Sequence, residues 1–199
     1  MDSRVRIWPT GLVILAMTCG AAAGAAPQRE VRDLEVRDLT VAVAHYAAVD
    51  PNTMKEAEGI ASEVYRRAGI EIQWVDPSTD EGATKLYVNV LSQEMAEPFY
   101  VSDETVGFAI PGSQAANVIY ERIRQIARRR HVASGLLLGY VIAHELGHLL
   151  LPAHSHSSSG LMRPDLDMEL AAMRKLRFTA DQVALIQERL TVQQVVSTH

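Results

Sequence analysis

The sequence has almost no cysteine: among 199 residues there is one, Cys19. A single cysteine cannot form an internal disulfide or a cysteine-based zinc cluster, so any metal in this chain would be held by histidine and carboxylate. Basic residues are not in excess either, because 19 Lys and Arg stand against 24 Asp and Glu. This balance argues against a nucleic-acid-binding protein. Aromatic residues make up only 6%, yet the apolar fraction of 48% is enough for one hydrophobic core.

An apolar run long enough to cross a membrane is also missing. The apolar segment at 7–17 is interrupted by proline and glycine and is too short for a transmembrane helix. It follows a basic start and precedes Ala23-Gly24-Ala25, a pattern typical of a cleavable signal peptide over residues 1–26. We therefore expect export to the periplasm or the exterior of a bacterial cell, with no membrane span in the mature chain. The alternatives are lipid attachment at Cys19 and a segment retained as an uncleaved anchor.

The rest of the chain divides into a short linker and one domain. The linker, 27–38, contains most of a tandem Glu-Val-Arg-Asp-Leu repeat, and two copies are too few for a repeat protein. Residues 39–199 alternate between short β-type patterns and longer helical ones, which predicts a single α+β domain. The predicted strands cover 39–43, 70–75, 86–91, 105–110 and 117–120, and the predicted helices cover 51–67, 121–130, 134–150, 166–175 and 180–190.

Capping residues mark the start of two of these helices. Asp50 followed by Pro51 fits an N-cap with proline at the first helical position. Thr179 with Gln182 three residues later fits a capping box. We therefore expect one helix to begin at Pro51 and another, near the end of the chain, directly after Thr179.

The chemistry-bearing residues concentrate in one segment, His144-Glu145-Leu146-Gly147-His148. The apolar segment before it predicts a buried helix, and residues four positions apart on a helix lie on the same face. His144 and His148 would then direct two imidazoles to one point, as a zinc ion requires of two nitrogen ligands. Glu145 would project beside them, close enough to act as a base on a water at the metal without being a ligand.

The residues after this motif resemble a known family. The segment continues to His154, His156 and Gly160-Leu161-Met162, and over about 20 residues it resembles the metzincin clan of zinc metalloproteases. In that clan a third histidine follows the first by ten positions and a methionine turn lies beneath the metal, which the resemblance carries to His154 and Met162. The same residues are similar to exported bacterial zincin-like proteins that read H-E-x-G-H-L-L-L and then H-S-x-x-G-x-M. Under that resemblance His156 is the third ligand.

Two histidines therefore compete for the third ligand position. Metzincins have a glycine three residues after the second histidine, where this sequence has Leu151 followed by Pro152. A leucine adopts a left-handed backbone poorly, and a residue before proline favours an extended one. A longer return loop would follow, which favours His156, whereas the interval to Met162 favours His154. We take His156 as the third ligand and keep His154 as the alternative.

The resemblance implies a fold and an activity. The fold would be zincin-like α+β, with a small mixed sheet packed on helices, an active-site helix and a helical C-terminal part. The activity would be that of an exported zinc-dependent peptidase, with Zn²⁺ as cofactor and Glu145 as general base on a zinc-activated water. Its partner would be a peptide or protein substrate lying along an edge strand at 117–120. The alternatives are another zinc amide hydrolase on the same scaffold and a zincin-like metal-binding protein with little catalysis.

Overall fold

The computed structural model describes residues 4–6, 37–78, 85–110 and 112–197, and of 4–6 and 193–197 it describes the backbone only. Most of the predicted signal peptide and linker therefore lies outside the described residues. Within the predicted signal peptide, strand β1 (Arg4–Arg6) pairs antiparallel with strand β7 (Asp165–Asp167). The next strand begins at Arg37, slightly before the predicted start at residue 39.

Five strands form the main sheet: β2 (Arg37–His45), β3 (Ile70–Val75), β4 (Lys85–Leu91), β5 (Gly107–Ala109) and β6 (Ala115–Ile119). Their order across the sheet is β3-β2-β4-β6-β5. The first four in this order run parallel, and the short β5 lies antiparallel at the edge. The sheet is therefore mixed, as the resemblance implies.

The place of β6 in the sheet corrects one prediction. The resemblance predicts an edge strand at 117–120, but β6 lies inside the sheet between β4 and β5. A tight turn, in which Ser113 N–H donates to Ile110 O at 3.0 Å, folds β5 back onto β6 and covers its edge. Local alternation predicts a strand near 105–110 but not its partner, because pairing is decided by distant residues. The edge on this side of the sheet is β5.

The helices are α1 (Pro51–Arg66), α2 (Gln93–Ala96), α3 (Tyr120–Arg130), α4 (Ser134–Leu150), α5 (Met168–Ala172) and α6 (Ala180–Ser197). A 3-10 turn at Glu97–Phe99 follows α2. The predicted helix at 166–175 shortens to α5, because the residues before it pair as β7 and Asp167 then caps α5. Among the described helices, none combines the length and the apolarity that a bilayer crossing requires.

Both predicted helix caps are present. Asp50 accepts hydrogen bonds from the backbone N–H groups of Asn52 and Thr53 at the start of α1. At the start of α6, Thr179 N–H donates to Gln182 Oε1 at 2.9 Å, and Gln182 N–H donates to Thr179 Oγ1 at 3.4 Å. These bonds satisfy backbone donors that have no partner within the helix.

The main hydrophobic core lies between one face of the sheet and helices α1, α3 and α4. Alternate strand residues such as Val41, Val88 and Val118 point into it and are fully buried. Helix α4 runs through its centre, where every residue from Gly135 onwards except His148 is buried. A smaller cluster on the other face of the sheet consists of Leu91, Ala96, Phe108 and Ile119. The fold thus places α4 directly beside β5 and β6.

Candidate metal centre and active site

Helix α4 itself places two imidazoles. His144 and His148 lie one turn apart, and their Nε2 atoms are separated by 3.0 Å. His144 is fully buried, and its Nδ1–H donates to Leu161 O at 2.8 Å. Because a carbonyl oxygen only accepts, this bond puts the proton on Nδ1 and leaves the lone pair on Nε2. Burial and this hydrogen bond fix the orientation of the His144 ring.

The third imidazole comes from the loop after α4. His156 Nε2 lies 3.1 Å from His148 Nε2, and one ring nitrogen from each of the three histidines lies within 4.8 Å of the others. Two nitrogens that bind a tetrahedral zinc ion would be about 3.3 Å apart. Two of the separations are therefore close to those around a bound ion. In the described part of the chain, no other group of three His, Cys, Asp or Glu side chains could share a metal.

The other candidate, His154, stays outside this group. Leu151 has the extended backbone that the sequence predicts, with φ −95° and ψ 160°, so the chain leaves α4 without a sharp turn. His154 is exposed on the resulting loop and has a left-handed backbone with φ 61°. Of the two candidate third ligands, the loop brings only His156 to the helix imidazoles.

A tight turn closes this loop against α4. Gly160 has φ 76°, and a Cβ at this position would lie 2.7 Å from Arg177 O, so both the backbone and the space require glycine. Leu161 N–H donates to the same carbonyl at 2.8 Å, while its own carbonyl accepts from the first imidazole. Met162 is fully buried, and its Sδ packs against Gly147 of α4. The predicted methionine turn therefore lies against the helix that carries two of the imidazoles.

Burial favours the neutral form of the three rings. The pKa of His144 is lowered well below its usual value by burial and by the neighbouring His148. Burial, with His156 nearby, lowers the pKa of His148 to about 4. Burial also lowers the pKa of His156. Neutral imidazoles carry the lone pairs with which histidine binds a cation.

Glu145 is fully buried, and neither of its carboxyl oxygens has a hydrogen-bond partner. Among the described residues, only one other buried side-chain nitrogen or oxygen lacks a hydrogen-bond partner, namely Oε2 of Glu121. Burial raises the pKa of Glu145 well above its usual range. An unpartnered buried polar group costs about 1–3 kcal/mol of stability. Such a group is typical of a functional site rather than of a core built for stability.

The edge strand of the sheet contacts this carboxyl group. A Cβ at Gly107 of β5 would lie 2.7 Å from Glu145 Oε1 and 2.9 Å from Val141 Cγ1. Both distances are below 3 Å, so a side chain at residue 107 would force Glu145 or Val141 to move. The strand and α4 approach this closely only because residue 107 has no side chain.

Three features of the site are absent from the sequence analysis. They are Gly107, the carbonyl of Leu161, and Ser155, whose Oγ lies 3.2 Å from Nδ1 of His148. A backbone carbonyl leaves no trace in a sequence, and one glycine or serine outside a motif has many structural explanations. These contacts depend on chain segments that only the tertiary fold brings together.

The donor set fits a zinc ion. Three neutral imidazoles supply the nitrogen ligands that zinc accepts, and the carboxyl group of Glu145 lies beside them on the same helix. Cobalt and nickel would accept the same nitrogens, so the donor types favour a transition metal over magnesium or calcium. Chemically, such a group can activate a water molecule and move its proton.

Comparisons with known proteins bear on the fold. No protein-family model matches the sequence, and no curated protein matches it either. Among solved structures, a zinc-dependent peptidase from Methanocorpusculum labreanum (strain Z) superposes with a TM-score of 0.53 at 14% identity, over 73% of this chain and 99% of that chain. An archaemetzincin from Methanopyrus kandleri aligns with a TM-score of 0.37 at 16% identity, over 81% of this chain and 99% of that chain. The first likeness confirms the zincin-like α+β fold.

Proposed function

We propose that the protein is an exported zinc-dependent peptidase. One observation carries this proposal: three imidazole nitrogens converge beside a buried carboxyl group that has no other partner. A closed structural metal site has no use for such a carboxyl group, whereas a hydrolytic site needs a base there. The fold shared with the zinc-dependent peptidase from Methanocorpusculum labreanum supports the same activity.

His144, His148 and His156 would hold the metal, with Met162 packed below them. Three protein ligands leave a fourth tetrahedral position for water, as in catalytic rather than structural zinc sites. When bound, zinc would supply Lewis acidity, which lowers the pKa of a water molecule and polarises the carbonyl of the peptide bond. The hydrogen bond from His144 Nδ1 to Leu161 O would hold the first ring in the tautomer that this requires.

Glu145 would act first as general base and then as general acid. Because burial raises its pKa, its carboxylate is a stronger base than an exposed one. It would take a proton from the attacking water and deliver it to the amine nitrogen as the C–N bond of the peptide breaks. The bare backbone of Gly107 leaves the carboxylate room for this role.

The substrate would bind along β5. In the part of the chain that the structure describes, this strand pairs only with β6 and ends the sheet order, and an extended peptide can add to such an edge through main-chain hydrogen bonds. Gly107 packs against Glu145, so a chain paired with β5 would pass alongside the general base. This placement replaces the edge strand that the sequence analysis expects at 117–120.

The central test combines metal analysis with peptide hydrolysis. We expect the wild type to bind zinc stoichiometrically and to cleave casein. Glu145→Gln keeps the shape of the side chain but cannot take a proton, so it should bind zinc equally well and lose about 10²–10⁴-fold in rate. Stoichiometric zinc without hydrolysis of any peptide would contradict the peptidase and favour a metal-binding protein. Hydrolysis confined to small amides would favour the other class of zinc hydrolase.

A second test assigns the third ligand. Removing a residue that only hydrogen-bonds to a metal ligand typically weakens metal binding ~10–100-fold. His156→Ala removes a ligand itself, so it should weaken zinc binding by more than that. His154→Ala should leave zinc affinity unchanged, because this side chain is exposed and lies outside the imidazole group. The opposite result would transfer the role to His154.

Export would be directed by residues 1–26. N-terminal sequencing of protein recovered from the periplasmic fraction should begin close to residue 27, since the small residues at 23–25 fit the signal-peptidase site. Such cleavage would also remove strand β1 from the mature protein. A mature protein that retains Met1 would contradict the signal peptide.

A further inference from the structure

The capping residue of the C-terminal helix also contacts the loop that carries His156. Gln182 is buried in the first turn of α6, where its Oε1 accepts from Thr179 N–H at 2.9 Å. Its Nε2 donates to Ser157 Oγ at 3.1 Å. A capping box needs only the first of these bonds. The second bond joins α6 to the residue next to the third imidazole.

Ser157 is fixed within its own loop as well. Its N–H donates to Met162 O at 2.9 Å, and its Oγ donates to Ser159 O at 2.8 Å while accepting from Gln182. The bonds to Met162 and Ser159 stabilise the conformation of the loop itself. The bond from Gln182 is the one that ties this shape to a different element of the fold.

The position of the His156 ring depends on the backbone of its loop more than the positions of the His144 and His148 rings do. Nδ1 of His144 is held by Leu161 O, and Nδ1 of His148 lies within hydrogen-bonding distance of Ser155 Oγ. In the described part of the chain, no hydrogen bond holds Nδ1 of His156, and its Nε2 faces the ring of His148 at 3.1 Å. The position of this ring is therefore set by the backbone at 155–157.

We propose that Gln182 is a positioning residue of the metal centre, which holds through Ser157 the backbone that presents His156. This role rests on the metal centre proposed above. If the bond helps to place the third ligand, then docking of α6 and metal binding favour each other by the same factor. One neutral hydrogen bond corresponds to about a fivefold change in an equilibrium constant, and we expect a loss of zinc affinity of about that size.

The test is a double-mutant cycle read by zinc affinity, measured by competition with a zinc-chelating dye. Ser157→Ala and Gln182→Ala should each weaken zinc binding about fivefold, and their losses should be less than additive in the double variant, because each single variant already lacks the bond between the two side chains. Ser157→Ala leaves the capping box intact, so it tests the contact from the loop side even if Gln182→Ala unfolds α6. Because it also removes the bond from Ser157 to Ser159 O, the comparison with Gln182→Ala isolates the bond that both variants lack. Thermal melting in EDTA shows which variants remain folded.

Gln187 offers a matched control on the same helix. Its Nε2 donates to Ala68 O at 2.8 Å, which is a bond of the same kind to a part of the chain between α1 and β3. Gln187→Ala should lower the melting temperature while leaving zinc affinity unchanged. A general loosening of α6 would instead lower zinc affinity in this variant as much as in Gln182→Ala, and the positioning role would be wrong.

The remaining outcomes separate this inference from the proposed function. If the wild type binds no zinc, or if His156→Ala binds it as well as the wild type, the metal centre is wrong and the positioning role falls with it. If zinc binds through His156 but Ser157→Ala keeps the wild-type affinity, only the positioning role is overturned. Additive losses in the double variant would also overturn it, because they would show two independent effects.

Discussion

The two parts of the candidate metal centre are held in different ways. Helix α4 carries His144 and His148 and is buried along almost its whole length. The return loop, which we define as residues 151–162, carries His156 and includes exposed residues such as His154. Single hydrogen bonds hold this loop to the rest of the fold, among them the bond from Leu161 N–H to Arg177 O. Packing therefore fixes the helix, whereas a few polar contacts and one buried turn fix the loop.

This difference separates two kinds of mutational effect. A change in α4 disturbs the core of the domain, and its cost should appear in the stability of the metal-free protein. A change in the exposed part of the return loop disturbs few contacts, so it should leave the stability of the metal-free protein nearly unchanged. If it has an effect, that effect should be on metal affinity. Measuring both quantities for each variant shows whether the division holds.

The largest expected effect is on stability. Leu146 lies between the two helix histidines and is fully buried. Leu146→Ala should destabilise the metal-free protein by about 3 kcal/mol, because it leaves a cavity in a core that cannot collapse around it. His154→Ala in the return loop should change stability by no more than about 0.5 kcal/mol. Urea unfolding in EDTA measures both, and equal losses would show that the loop is as tightly packed as the helix.

A slightly smaller effect should appear in catalysis at the junction of α4 with the sheet. Gly107→Ala puts a Cβ where Glu145 Oε1 is 2.7 Å away, so the carboxyl group must move. A displacement of about 1 Å can cost about 100-fold in rate, and we expect kcat/KM to fall by about that factor with zinc affinity unchanged. Gly59→Ala is the control, because nothing lies within 4 Å of its Cβ. Full activity in Gly107→Ala would mean that β5 does not position the base.

The sequence alone predicts the helix half of the site far better than the loop half. The histidine spacing and the apolar segment before it predict a helix at 134–150, and α4 has these bounds. The convergence of the two helix histidines follows from 3.6-residue periodicity, which is a local property. The preference for His156 came from a local rule as well, the effect of Pro152 on Leu151, and Leu151 is extended.

The rest could not be predicted, because it depends on contacts between distant segments. Nothing local to Gln182 indicates that its amide reaches Ser157, and nothing local to Gly107 indicates that it packs on Glu145. The edge strand was misassigned for the same reason: the alternation at 117–120 predicts a strand but not its neighbours. Sequence patterns thus predict the candidate reacting groups, whereas the residues that position them depend on the tertiary structure.

The smallest expected effect is a pH dependence of the metal-free protein that should differ between the two halves. Burial lowers the pKa of His148 in the folded state to about 4, while in the unfolded chain it is about 6.5. The unfolded chain therefore binds the proton first as the pH falls, so stability that is complete above pH 6.5 is lost progressively towards pH 4. Of the loss between pH 7 and 5.5, His148 should account for ~1 kcal/mol, measured in EDTA by urea unfolding at each pH as the difference between the wild type and His148→Ala. His148→Ala should remove more of it than His156→Ala, since His156 lies on the return loop and is less deeply buried. Equal effects of the two substitutions would mean that the loop encloses its imidazole as completely as the helix does.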